Sequence, residues 1–168
     1  KGSGMQKYFG PSIDHKVIGI QYTITALLLI SLGGIFALIF RTELSYSGLA
    51  VISLDTYNTL MSLHGIIMIV SILLGIAGLM NYLVPIMVGA ADMAFPRLNA
   101  FSFWIAPPAA VLLLSSLALG GFDTGWVGYP PLSARAPVGM QMFFLGVYVA
   151  GWSSILGALN IITTVIRI

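Results

Sequence analysis

The chain has 168 residues, of which 58% are hydrophobic and 7% charged, with a net charge of +2 and a mean hydropathy of +1.01. A soluble domain carries about 25% charged residues, so this composition excludes a globular domain with one anchor and specifies an integral membrane protein of several spans. So small a net charge gives no sign of nucleic-acid binding, and a chain without cysteine has neither a disulfide framework nor a thiolate metal site.

Residues 1–16 read as a polar leader whose opening, KGSG, has the composition of a flexible tail. The lysine-bearing start runs into Ser12, Ile13, Asp14 and His15 rather than an apolar core, so no cleavable signal is expected. The first span is expected over residues 17–40, with no charge between Lys16 and Arg41. Its centre holds Ala26, Ser31, Gly33, Gly34 and Ala37, small residues that let another helix, or a flat cofactor, approach the backbone.

The second span is expected over residues 56–88, inside a stretch from Thr56 to Ala91 that carries no Asp, Glu, Lys or Arg. It is long enough to tilt or project beyond the bilayer, and Pro85 near its end leaves a carbonyl that is easily satisfied again. In its middle stands His64. An ionisable side chain within a membrane helix is costly and is read by default as functional. On the residues alone two readings stay open: a ligand, or a neutral imidazole hydrogen-bonded to a neighbouring helix. Met61 and Met68, at −3 and +4 from His64, share its face. Only two histidines exist, His15 and His64, so no metal cluster can be built from histidine alone.

A third span is expected over residues 100–120 with a kink at Pro107 and Pro108, and a fourth over 138–166. Between them lies an aromatic, Gly- and Pro-rich stretch in which Trp126 and Tyr129 suit a membrane interface. Lys1, Lys7, Lys16, Arg97 and Arg167 fall on one side of the membrane, Arg41 and Arg135 on the other. The excess of Lys and Arg places the N-terminus, the Asp92 loop and the C-terminus inside. His64 then lies about 12 Å below the outer end of its span.

Four strings, LHGIIM, LMNYLVPIMVGAADMAFPRLNAFSFW, TGWVGYPPL and GWSSILGALNIITT, resemble the first four helices of subunit I of the haem–copper oxidases, in particular the haem a type that takes electrons from cytochrome c. The resemblance covers residues 12–168. It implies an all-α, polytopic transmembrane bundle, with four spans here of about a dozen in the family's subunit. It makes His64 similar to one of the two axial ligands of the low-spin haem. Arg41, in FRTEL, matches the arginine at that haem's rim; Tyr57 and Trp126 match residues around the haem and its propionates, and Met68 shares the site. Without the resemblance, Arg41 reads as a snorkelling interfacial arginine and Trp126 as part of an aromatic belt. Glu43, with Gly48, resembles an outer-face cation site found in some members.

The resemblance also makes Asp92 the inner mouth of a proton-uptake pathway, with Asn81, Asn99, Tyr22, Ser102, Ser153, Ser154 and Asn160 along it. A carboxylate collects protons from water, and amide and hydroxyl groups organise a water file where a bare charge is prohibitive. Alone, Asp92 reads as a solvated turn residue and the others as helix-packing groups. The second axial histidine, the copper ligands and the oxygen-binding haem's ligand belong to later helices of the family. The chain is therefore expected to be the N-terminal part of a longer or split subunit, inactive alone, with subunits II and III, cytochrome c and the lipid bilayer as partners and no nucleic acid. The membrane expected is a bacterial or archaeal plasma membrane, the alternative being the mitochondrial inner membrane.

Quinol-oxidising members of the ubiquinol type carry Arg and Asp in the first span, and His and Gln shortly before the haem histidine. The matching positions here are Leu32, Phe36, Thr56 and Thr59, which favours cytochrome c as donor. A quinol oxidase and a non-catalytic membrane scaffold are the competing readings.

Overall fold

Helix boundaries follow local chemistry at each end of the apolar runs. The computed structural model describes residues 6–167; residues 1–5, with the opening KGSG, and residue 168 lie outside the described residues. A 3₁₀ turn (Gln6–Tyr8) is followed by α1 (His15–Glu43), α2 (Leu54–Val88), α3 (Pro96–Ala118), α4 (Leu132–Arg135) and α5 (Val138–Arg167), with no strand among the described residues. The class is the expected all-α one, and four of the helices are long and apolar enough to cross a membrane.

α1 begins before the apolar run because the Asp14 side chain caps it, accepting from the Lys16 N–H at 2.8 Å. Ser53 caps α2 in the same way through the Thr56 N–H. Gly89 ends α2 in the left-handed region, at φ 76°. α3 starts at Pro96, whose fixed φ suits a first helical turn, so the third helix starts four residues ahead of the expected span. It continues as helix through Pro107 and Pro108. Neither proline has an N–H, so the Phe103 and Trp104 carbonyls lose their usual donors. The short α4, inside the loop that leads to α5, has no periodic signal in the sequence.

The four long helices form two antiparallel pairs, α1 with α2 and α3 with α5, joined by thinner contacts of α2 with α5 and of α1 and α2 with α3. In the first pair, Gly19 lies against Gly78, Ala26 against Ser71 and Gly33 against Met68. The α1 positions are seven apart and so form one stripe. The Ser71 hydroxyl donates to the Ala26 carbonyl at 2.6 Å. The expected small-residue centre of α1 thus divides: Ala26 and Gly33 pack against α2, whereas Ser31 is exposed and Gly34 faces open space. In the second pair, Gly146 lies against Leu113 and Ser153 against Ser102.

Ile18, Tyr22, Leu63, Ile67, Leu113, Met140 and Phe143 fill the centre where the pairs meet. Only 22–33% of each helix's most apolar window is buried within the chain. The remaining apolar surface is therefore left to lipid or to further helices. Burial of apolar area does not drive association in such a setting, so close packing and internal hydrogen bonds hold the pairs together.

A Cβ at position 78 would lie 2.8 Å from the Gly19 carbonyl oxygen and 2.6 Å from Thr23 Oγ1. The backbone atom cannot move aside without parting the helices. Gly78→Ala is expected to destabilise the α1–α2 pair by about 1–3 kcal/mol, read as a lowered thermal midpoint in detergent; an unchanged midpoint would show that the crossing is loose.

Candidate functional site

His64 sits in the N-terminal third of α2, half-buried, facing α1. Its Nδ1 lies 2.8 Å from the Gly33 carbonyl oxygen. A carbonyl only accepts, so Nδ1 carries the proton and the neutral ring presents an unprotonated Nε2. Among the described residues Nε2 has no hydrogen-bond partner. On the same face, a Cβ at Gly33 would lie 3.0 Å from Met68 Sδ, so Met68 packs directly over the glycine. Phe40 stands edge-on to the imidazole, with ring centroids 5.6 Å apart, and edge-on to Tyr57 at 5.8 Å. The structure thus gathers His64, Met68 and Tyr57 around Gly33, one of the small α1 residues noted in the sequence, and Phe40, which carries no distinct sequence signal for such a role.

Arg41 and Trp126 are both exposed. Arg41 follows Phe40 at the end of α1, and Trp126 lies in the loop before α4. Neither side chain hydrogen-bonds to the His64 group within the chain.

Among the described residues no three His, Asp or Glu side chains are grouped to hold a metal ion. The His64 site instead offers one neutral nitrogen donor in an apolar, aromatic wall, held in one tautomer by the opposite ring nitrogen. That donor set fits a single axial position of a haem iron.

Glu43, beyond the apolar run of α1, is buried and folds the following loop around itself. Its Oε1 accepts from the Ala50 N–H at 2.9 Å, and its Oε2 from those of Val51 and Ile52 at 2.7 and 2.8 Å. The amides of Ala50, Ile52 and Val51 favour its ionised form. Gly48, at φ 87°, makes the turn that lets the loop come back. The depression beside it is lined by no other carboxylate. Three charge-assisted bonds make Glu43 the anchor of the loop. Glu43→Gln is expected to raise hydrogen exchange at Ala50–Ile52 by about tenfold or more; exchange at the native rate would mean that the carboxylate is not the anchor.

At the other end, Asp92 is half-exposed in the loop between α2 and α3, and its Oδ1 accepts from the Met93 N–H at 2.7 Å. Asn81, Asn99, Tyr22, Ser102, Ser153 and Asn160 are all buried, each at 2% exposure or less. Ser102 donates its one hydroxyl proton to the Asn99 carbonyl at 2.7 Å, so at 2.9 Å from Ser102 the Tyr22 hydroxyl is the donor. Ser153 donates to the Ser102 carbonyl at 2.6 Å. Ser154 instead is exposed on a cleft between α2 and α5 that it lines with Leu74, Ala77 and Gly157.

Asn81 Oδ1 and both amide atoms of Asn99 are buried without any partner among the described residues. A buried polar atom left unpaired costs about 1–3 kcal/mol, so such atoms call for water or a further group. Asn160 differs: its Oδ1 accepts from the Phe95 N–H at 2.9 Å and its Nδ2 donates to the Phe95 carbonyl at 3.1 Å.

Two polar residues here were not singled out by the sequence. His15 is buried, with its Nδ1 2.9 Å from the Asn81 carbonyl oxygen. Thr164 accepts from the Ala94 N–H at 2.9 Å. Helical spacing gives a retrospective signal, since His15 precedes Tyr22 by seven residues and Thr164 follows Asn160 by four.

These features define a multi-pass membrane protein with one histidine nitrogen donor in an aromatic wall and a separate group of buried polar residues. Residues 17–168 match the family model described as cytochrome c and quinol oxidase polypeptide I. The chain is 48% identical over 162 residues to cytochrome c oxidase subunit 1 of Synechocystis sp., covering 95% of this chain and 29% of the relative. Identity to cytochrome c oxidase subunit 1 of Thermostichus vulcanus is 47%, covering 94% of this chain and 29% of the relative. With cytochrome c oxidase polypeptide 1 of Halobacterium salinarum it is 39%, covering 98% and 28%. The chain belongs to the subunit I family of the haem–copper oxidases. It spans less than a third of the length of these relatives.

Proposed function

We propose that this chain is the N-terminal part of the catalytic subunit of a terminal respiratory oxidase that takes electrons from cytochrome c and reduces oxygen to water. The observation that carries the reading is the 2.8 Å bond from His64 Nδ1 to the Gly33 carbonyl, which leaves Nε2 available as a donor. His64 would hold one axial position of a low-spin haem, haem a in the members the chain resembles, with Met68, Tyr57 and Phe40 as its neighbours in this chain. When bound, that haem supplies reversible one-electron transfer. Arg41 and Trp126, exposed beyond the same end of the site, would face its rim and propionates. The second axial ligand and the haem–copper centre that reacts with oxygen would come from later helices, and subunits II and III would complete the complex.

Protons would enter from the inner side at Asp92. The unpaired amide atoms of Asn81 and Asn99 support a water file beyond it, and the Tyr22–Ser102–Ser153 hydroxyl cluster would orient that file towards the cleft at Ser154. Thr59 supports cytochrome c rather than quinol as donor. It is 2% exposed and accepts from the Phe122 N–H at 3.0 Å, which fits it to a loop lock better than to a quinone pocket. The membrane would be a bacterial or archaeal plasma membrane with the N-terminus inside.

In the assembled oxidase, His64→Ala is expected to abolish the low-spin band of the reduced-minus-oxidised spectrum; an unaltered band would sink the ligand assignment. Asp92→Asn is expected to slow turnover by an order of magnitude and to remove proton ejection. Native proton ejection per electron in that variant would remove Asp92 from the pathway.

A further inference from the structure

Among the described residues the carboxylate of Asp92 has no tertiary partner: its Oδ1 accepts from the next amide, the Met93 N–H. Its position must therefore be set by the backbone that follows. Consecutive Cα atoms are about 3.8 Å apart, so fixing residues 93–95 leaves Asp92 little room.

α5 supplies that restraint. Thr164 Oγ1 accepts from the Ala94 N–H at 2.9 Å, and Asn160 Oδ1 from the Phe95 N–H at 2.9 Å. The two side chains stand one helical turn apart and meet two successive backbone donors. The Thr164 hydroxyl gives its proton to the Asn160 carbonyl at 2.7 Å, which turns its lone pairs towards Ala94. Met93 is buried, with its sulfur 3.8 Å from the same hydroxyl.

The restraint also reaches the track. The Phe95 carbonyl accepts both from Asn160 Nδ2 at 3.1 Å and from the Asn99 N–H at 2.9 Å. α3 has no capping side chain of its own at Phe95, and Asn160 grips both peptide groups of that residue from another helix. The two buried amides are thereby distinguished. Asn99 has both side-chain polar atoms free of protein partners, whereas Asn160 has both engaged by Phe95.

We propose that Asn160 and Thr164 form a clasp that holds the Asp92 loop on α5, so that both act as positioning residues for the mouth of the proton pathway rather than as members of its relay. This rests on the reading of Asp92 as the proton-collecting group.

The test uses the complete oxidase complex in lipid nanodiscs. Thr164→Val keeps the shape of the side chain and removes the acceptor. It is expected to raise amide hydrogen exchange across residues 93–95 by about tenfold and to lower turnover several-fold, with reduction of the low-spin haem by cytochrome c at its native rate. Thr164→Ser restores the acceptor and is expected to recover both. Asn160→Ala, which removes both bonds to Phe95, gives the same pattern and serves if the valine variant fails to assemble.

Native exchange in Thr164→Val overturns the clasp. Raised exchange with native turnover overturns the positioning role, as does failure of serine to rescue. Asp92→Asn separates the two readings. Native turnover and proton ejection in that variant sink the pathway reading itself, whereas a slow Asp92→Asn beside a native Thr164→Val sinks only the clasp.

Discussion

The close approach of α1 to α2 along Gly19, Ala26 and Gly33 is the constraint on which the rest of the structure depends. In lipid there is little hydrophobic gain from joining two apolar helices, so contact has to come from backbones that can meet. A stripe of small residues seven apart gives that contact at successive levels of the membrane. At the level of Gly33 the same approach brings a carbonyl within 2.8 Å of His64. The bond that fixes the imidazole tautomer is thus a by-product of helix packing.

The second pair of helices solves a different problem. α3 and α5 carry Ser102, Ser116, Ser153, Asn160 and Thr164 on their buried faces. Hydroxyl groups there mostly satisfy themselves on carbonyls of their own or the facing helix, which costs no water and adds little freedom. Asn81 and Asn99 do not follow this pattern: Asn81 Oδ1 and both amide atoms of Asn99 have no partner among the described residues. Where most polar groups are internally paired, the few that are not mark the place where water is required.

The two regions are linked through α1. Its C-terminal half carries the carbonyl that orients His64 and the Phe40 ring beside it, and its N-terminal half carries Tyr22 and His15. One helix therefore bears on both the candidate haem site and the candidate proton track. They remain separate in chemistry: a neutral nitrogen donor in an aromatic wall at one end, and a file of amides and hydroxyls at the other.

By itself the sequence determined the class of the molecule, because charge-free runs of more than 20 residues have no stable place but a membrane or a very large core. Those runs also placed the four long helices to within a few residues, whereas the caps at Asp14, Ser53, Gly89 and Pro96 and the short α4 came from the structure. His64 stood out because a lone ionisable group in an apolar run is energetically conspicuous, whereas Asp92 drew notice only through the family resemblance. Only the tertiary structure decided what the polar residues do. Glu43 became a loop anchor and Asn160 a partner of Phe95, whereas Asn99 kept its amide free. For His15 and Thr164 helical spacing gave the face but not the contact, since their partners, Asn81 and Ala94, lie 66 and 70 residues away in the chain. Composition and periodicity report which face of a helix a residue is on; which carbonyl or amide it meets there depends on the register between helices, and that register is set by close contacts such as Gly19 on Gly78 that no local pattern encodes.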